Sequence, residues 1–147
     1  MRKFLFAISA LLAFYAAGAQ TTQSPETRAA ALLQKMTLEE KVGQMTQVTM
    51  AVFAKGGWAN EDGTLDPVAL KKTIVDYKVG SLLNTTAHAL QVEKWRSIMT
   101  QIQDEVKNTR LKIPVIYGLD AIHCQTYTLN STLFPQNIAM AATRNTE

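Results

Sequence analysis

Two residues past an apolar run, in Ile113-Pro114-Val115-Ile116-Tyr117-Gly118-Leu119-Asp120-Ala121-Ile122-His123-Cys124, stands a lone carboxylate, with an imidazole and a thiol close behind. The run is rich in β-branched and aromatic residues and is the right length for a strand buried on both faces. Pro114 falls near its start, where a missing N–H is tolerated, and Gly118 permits a close or unusual backbone path. Asp120 must face solvent, a partner or a ligand, because burying an isolated charge costs several kcal/mol. Two chemistries suit it. Its side chain can cap the turn that follows, or it can hold a polar ligand at the end of a parallel strand, where α/β sheets keep their ligands.

Other site chemistries find no support in the residues. His88 and His123 do not have metal-ligand spacing, and adjacent His123 and Cys124 suit a single tetrahedral ion poorly. No nucleophile-elbow motif supplies a serine to pair with His123 and Asp120. Gly56-Gly57 lacks the lysine and spacing of a phosphate loop. Neither a metal nor a cofactor is therefore expected.

The elements that must position Asp120 can be read in order. Ser24-Pro25-Glu26 has the cap, the proline and the acidic first turn of a helix, running to about Lys35. Thr37 and Glu40 form a capping-box pattern for a second helix, with Leu38, Val42 and Met45 on one face. Gln47–Phe53 reads as a strand, followed by a glycine-marked loop around Trp58. Asp66-Pro67 opens a helix to about Tyr77, and 79–84 reads as a short buried strand. The polar end of that strand, Asn84 to His88, falls near Asp120 if the strands are parallel. Gln91–Arg110 is the plainest helix, with Val92, Trp95, Met99, Ile102 and Val106 as the packed stripe. Strand and helix alternate, which predicts an α/β fold with a parallel sheet.

With these residues in view, the chain resembles the amino-terminal domain of family 3 glycoside hydrolases. Ile113–His123 resembles that family's apolar strand followed by G-x-D-x-x-H-G. Thr132-Leu133-Phe134-Pro135 through Ile138 to Ala142-Thr143 resembles its T-x-F-P-x-x-I-x-x-x-A-T segment. Leu33 to Gln47 is similar to its entry helices, L-x-x-M-T-x-E-E-K-x-G-Q-M. The resemblance implies a (β/α)8 TIM-like barrel, of which this chain holds the first few strand–helix units. It implies a retaining, exo-acting hydrolase that removes a terminal β-linked sugar, foremost β-D-glucose, from an oligosaccharide or β-glycoside. Such chemistry needs two carboxyl groups, one attacking the anomeric carbon and one protonating the departing oxygen. In the family these come from a later barrel strand and, generally, from a following domain. Both are therefore expected beyond Glu147, and the chain is expected to be an amino-terminal fragment without its catalytic carboxylates. Asp120 matches the family aspartate that hydrogen-bonds sugar hydroxyls where cleavage occurs. The chain departs from the pattern once, with Cys124 where the family has glycine; if that backbone needs positive φ, the Cβ costs about 1 kcal/mol or more. A non-catalytic sugar-binding module and an inactive truncation product are the alternatives.

Composition agrees with one ordinary globular domain: 147 residues, 47% hydrophobic and 18% charged. Met1–Ala19 has the form of a secretory signal, with Arg2 and Lys3 before an apolar run and Ala17-Gly18-Ala19 at the cleavage site. The apolar run is too short for a membrane span. Removing it leaves Gln20–Glu147 as an exported, periplasmic or secreted domain with nearly balanced charge, so nucleic acid is not an expected partner. Cys124 is the only cysteine, so no internal disulfide supports the fold. The sequons at Asn84 and Asn130 are read as chance. Oligomeric state is not legible.

Overall fold

Local capping chemistry decides where most helices begin. The computed structural model describes residues 23–85 and 88–145, so the expected signal segment lies outside the described residues. The chain divides into two compact units, with the boundary after Lys35. In the first, helix α1 (Pro25–Lys35) starts where Ser24 Oγ accepts the Thr27 N–H at 3.2 Å, and proline takes the first helical position.

The second unit opens with α2 (Leu38–Met45), whose capping box is complete. Thr37 Oγ1 accepts the Glu40 N–H at 3.2 Å, and Glu40 Oε2 accepts the Thr37 N–H at 2.8 Å. Helix α3 (Pro67–Lys71) is started by Asp66, whose Oδ1 accepts from the Val68 and Ala69 N–H groups at 2.8 and 3.1 Å. It continues as a π-turn over Lys72–Asp76. There the Thr73 hydroxyl donates to the Ala69 carbonyl at 2.8 Å, and the Tyr77 N–H bonds Lys72 O five residues back. Helix α4 (Val92–Val106) and the short α5 (Asn137–Ala142) complete the helices of this unit among the described residues.

Strands β1 (Gln47–Thr49), β2 (Ser81–Leu83) and β3 (Ile116–Gly118) form one parallel sheet in the order β1-β2-β3. Gln47 pairs with Ser81 and Ser81 with Ile116; Thr49 pairs with Leu83 and Leu83 with Gly118. The α/β alternation read from the sequence is thus present, with shorter strands. The expected strand Gln47–Phe53 stops at Thr49 because its hydroxyl accepts the Ala51 N–H at 3.0 Å and turns Met50–Val52 into a 3-10 helix. Met50 and Phe53 then bury from that turn rather than from a strand.

Alternation along the strands gives the sheet two unlike faces. Val48, Leu82 and Tyr117 turn to one face and join a core with Phe53, Leu70, Ile74, Trp95, Ile98, Ile102 and Val106. On the opposite face Ile116 is 71% exposed. The buried stripe of α4 is Trp95, Ile98, Ile102 and Val106, so Ile98 replaces Val92 of the expected stripe and Met99 lies at its margin. The Leu38, Val42 and Met45 stripe read on one face of α2 is exposed.

Helix α2 is held by its other side. A Cβ on Gly43 would fall 2.5 Å from both the Tyr77 and Lys78 carbonyl oxygens, and one on Gly80 would fall 2.5 Å from Gln44 O. The Gly80 N–H donates to Gly43 O at 2.9 Å across this seam. Only two glycines let the backbones come this close. A second tie is longer in sequence: Arg110 Nε donates to Glu40 Oε1 at 2.9 Å and Nη2 to Oε2 at 2.5 Å. The Arg110 guanidinium, then the Thr37 N–H, hold the buried Glu40 carboxyl below the ordinary carboxylate range.

Candidate functional site at the carboxyl ends of the strands

The register brings the ends of β2 and β3 side by side. Leu83 pairs with Gly118, so Asn84 and Asp120 leave the sheet at the same edge. The Asn84 N–H donates to Gly118 O at 2.9 Å, and Asn84 then takes φ +57, a left-handed conformation that asparagine tolerates better than most residues. This turn lays its amide against Asp120. Asn84 Nδ2 donates to Asp120 Oδ2 at 2.9 Å, and Asn84 Oδ1 accepts the Asp120 N–H at 2.7 Å.

Of the two roles open to Asp120 in the sequence, turn capping is not the one seen. Among the described residues no backbone N–H of the following turn donates to the Asp120 carboxylate; Ala121 N–H goes to Leu119 O and Cys124 N–H to Ala121 O, both at 3.0 Å. Asp120 is exposed, and its hydrogen bond comes from across the sheet. A fixed, solvent-facing carboxylate can accept hydroxyl donors of a ligand.

The loop behind Asp120 is fastened at two places. His123 Nδ1 lies 2.9 Å from Phe134 O; a carbonyl only accepts, so Nδ1 carries the proton. That bond joins the Gly118–His123 motif to the Thr132–Pro135 segment. Trp95 Nε1 and the Leu90 N–H both donate to Tyr127 O, at 2.8 and 3.0 Å, tying the loop after β3 to α4. Below the loop Trp95 and Tyr117 pack with ring centroids 5.7 Å apart. Burial, helped by the Tyr127 phenol nearby, pushes the Tyr117 hydroxyl up to about 12. The Tyr117 hydroxyl and Thr85 Oγ1 are buried with no hydrogen-bond partner among the described residues.

Gly118 does not need to be glycine for space: a Cβ there would meet Leu83 Cδ1 at an ordinary 3.6 Å. The unusual backbone lies instead at Asn84 and at Cys124, where φ is +62. The thiol thus sits on a left-handed residue, a conformation that glycine takes without a Cβ penalty. His88 is exposed, and among the described residues no group of three or more His, Cys, Asp or Glu side chains is placed to hold a metal. None of the described helices is long and apolar enough to cross a membrane. Asn84 of the first sequon spends its amide nitrogen on Asp120, so a glycan there would break the pair.

Fold and site together define an α/β domain with a held carboxylate at the carboxyl ends of a parallel sheet, the usual ligand position in such sheets. The model of the glycosyl hydrolase family 3 N terminal domain matches residues 37–147. The chain belongs to that family. It is 34% identical over 125 residues to a lysosomal beta glucosidase of Dictyostelium discoideum, covering 79% of this chain and 15% of that protein. It is 32% identical over 127 residues to a periplasmic beta-glucosidase of Salmonella typhimurium, covering 83% of this chain and 13% of that protein. The chain therefore spans less than a sixth of the length of these relatives.

Proposed function

We propose that this chain supplies one side of the sugar site of a retaining, exo-acting glycoside hydrolase that removes terminal β-linked sugar, foremost β-D-glucose, from oligosaccharides or glycosides. Asp120 accepts hydroxyl hydrogen bonds from the sugar whose bond is cleaved. The nucleophile and the acid/base carboxyl belong to parts of the protein outside this chain, and no metal or cofactor takes part. The observation that carries the reading is Asp120 itself, exposed at the end of β3 and held by Asn84 inside a family 3 domain.

Gln20–Glu147 is then the opening part of a (β/α)8 barrel. The strand order β1-β2-β3 fits this, because a barrel adds each strand beside the last, although one half of a doubly wound sheet has the same order. The exposed apolar Ile116 on the inner side of the sheet suits a ring that closes over it. Export to the periplasm or the outside follows from the signal-like Met1–Ala19, and the periplasmic and lysosomal relatives support it.

The test is turnover of an aryl β-glucoside by the complete hydrolase carrying this segment. A carboxylate accepting sugar hydroxyls makes bonds worth roughly 1.5–3 kcal/mol each, so Asp120→Asn should lower kcat/KM by about ten-fold to several hundred-fold. This chain alone should hydrolyse nothing. Wild-type kinetics in Asp120→Asn would refute the assignment, and turnover by the isolated chain would refute the location of the chemistry.

A further inference from the structure

We propose that Asn84 is the positioning residue for Asp120, orienting its carboxylate toward the sugar; this rests on the reading that Asp120 binds the sugar. Both ends of the Asn84 amide are used on the one neighbour. Oδ1 takes the Asp120 backbone N–H at 2.7 Å and Nδ2 gives to Asp120 Oδ2 at 2.9 Å. The amide cannot be turned over, since the backbone N–H only donates and the carboxylate only accepts. The two bonds close a ring that fixes where Asp120 starts and how its carboxyl plane is rotated. Oδ2 carries the bond from Asn84, and among the described residues nothing donates to Oδ1, which is left for a ligand hydroxyl. Two hydrogen bonds thus define both the place and the direction of the free oxygen.

The competing explanation is that Asn84 is needed only for its backbone, which stands at φ +57. Glycine and aspartate separate the two, because both tolerate that conformation and neither keeps the amide. Asn84→Gly removes the clamp and leaves the turn. Asn84→Asp keeps the shape but sets a second carboxylate against Asp120, and two carboxylates at this distance resist ionising together.

The experiment measures kcat/KM for an aryl β-glucoside, with thermal midpoints, in the complete hydrolase and its Asn84→Gly, Asn84→Asp, Asp120→Asn and Asn84→Gly/Asp120→Asn variants. Losing one bond to a charged group predicts a fall of about ten-fold in Asn84→Gly with an unmoved midpoint. In the Asp120→Asn background the same change should cost much less, because the bond to the carboxylate is already altered and only the bond to the backbone N–H remains to be lost. Asn84→Asp should be impaired at neutral pH and regain activity as pH falls and one carboxyl takes up a proton. Wild-type kcat/KM in Asn84→Gly or Asn84→Asp at neutral pH, or additive losses in the double variant, would overturn the inference while an impaired Asp120→Asn kept the sugar-binding reading. Wild-type kinetics in Asp120→Asn would bring down both. If Asn84→Gly lowered the midpoint, the pH profile of Asn84→Asp would decide.

Discussion

Replacing Gly43 by alanine should weaken the protein, although alanine is the better helix former. In a helix interior with open space around it, the change should gain about 1 kcal/mol. Here the new Cβ would lie 2.5 Å from Lys78 O and 2.5 Å from Tyr77 O, where real Cβ atoms are not found. Both obstacles are backbone, so no side chain can swing away, and α2 must separate from the turn that feeds β2. Overpacking of this kind costs about 1–3 kcal/mol, and rigid neighbours place it at the upper end. The net expectation is a loss of about 2 kcal/mol once the helix gain is subtracted. Local hydrogen exchange is the suitable assay, because the Gly80 N–H bonded to Gly43 O reports the seam itself. Peptides covering α2, β1 and β2 should exchange roughly 30-fold faster than in the wild type. Unchanged or slower exchange in Gly43→Ala would refute the claim that this seam depends on missing Cβ atoms.

Cys124→Gly should stabilise the loop behind Asp120 by about 1 kcal/mol, because glycine takes φ +62 without the Cβ penalty; a lower thermal midpoint would contradict this. For Glu40 the sign follows from its lowered carboxyl, held first by Arg110 and then by the Thr37 N–H. Its contribution is complete above the unfolded value of about 4.3 and is lost as pH falls through the folded one. Amide protection in the first turn of α2 should therefore drop on acidification below about pH 4, and Glu40→Gln should flatten that dependence; an equally steep drop in the variant would reject the assignment.

Signals completed within four residues are legible in the sequence itself. Thr37 with Glu40 and Asp66 with Pro67 place helix starts correctly because cap and partner lie in one turn. Asp120 was legible as a polar residue at a strand end, and a parallel sheet was enough to bring Asn84 near it. The bonds between them were not, since they depend on a register and a left-handed turn that nearest neighbours do not encode. The Glu40–Arg110 pair joins residues 70 positions apart and leaves no local trace. Strand ends were overestimated where a side chain competes for backbone, as Thr49 does at the end of β1. The exposed stripe on α2 shows a different limit: periodicity marks an apolar face, but not which part of a protein covers it.

The central claim, that Asp120 grips a sugar, is tested most directly by a crystal structure of the complete hydrolase bound to a β-glucoside inhibitor. The account predicts Asp120 Oδ1 within hydrogen-bonding distance of a ring hydroxyl, about 2.5–3.0 Å, with Asn84 still bonded to Oδ2. A well-ordered sugar whose hydroxyls are met by other residues, with Asp120 pointing into solvent, would contradict it.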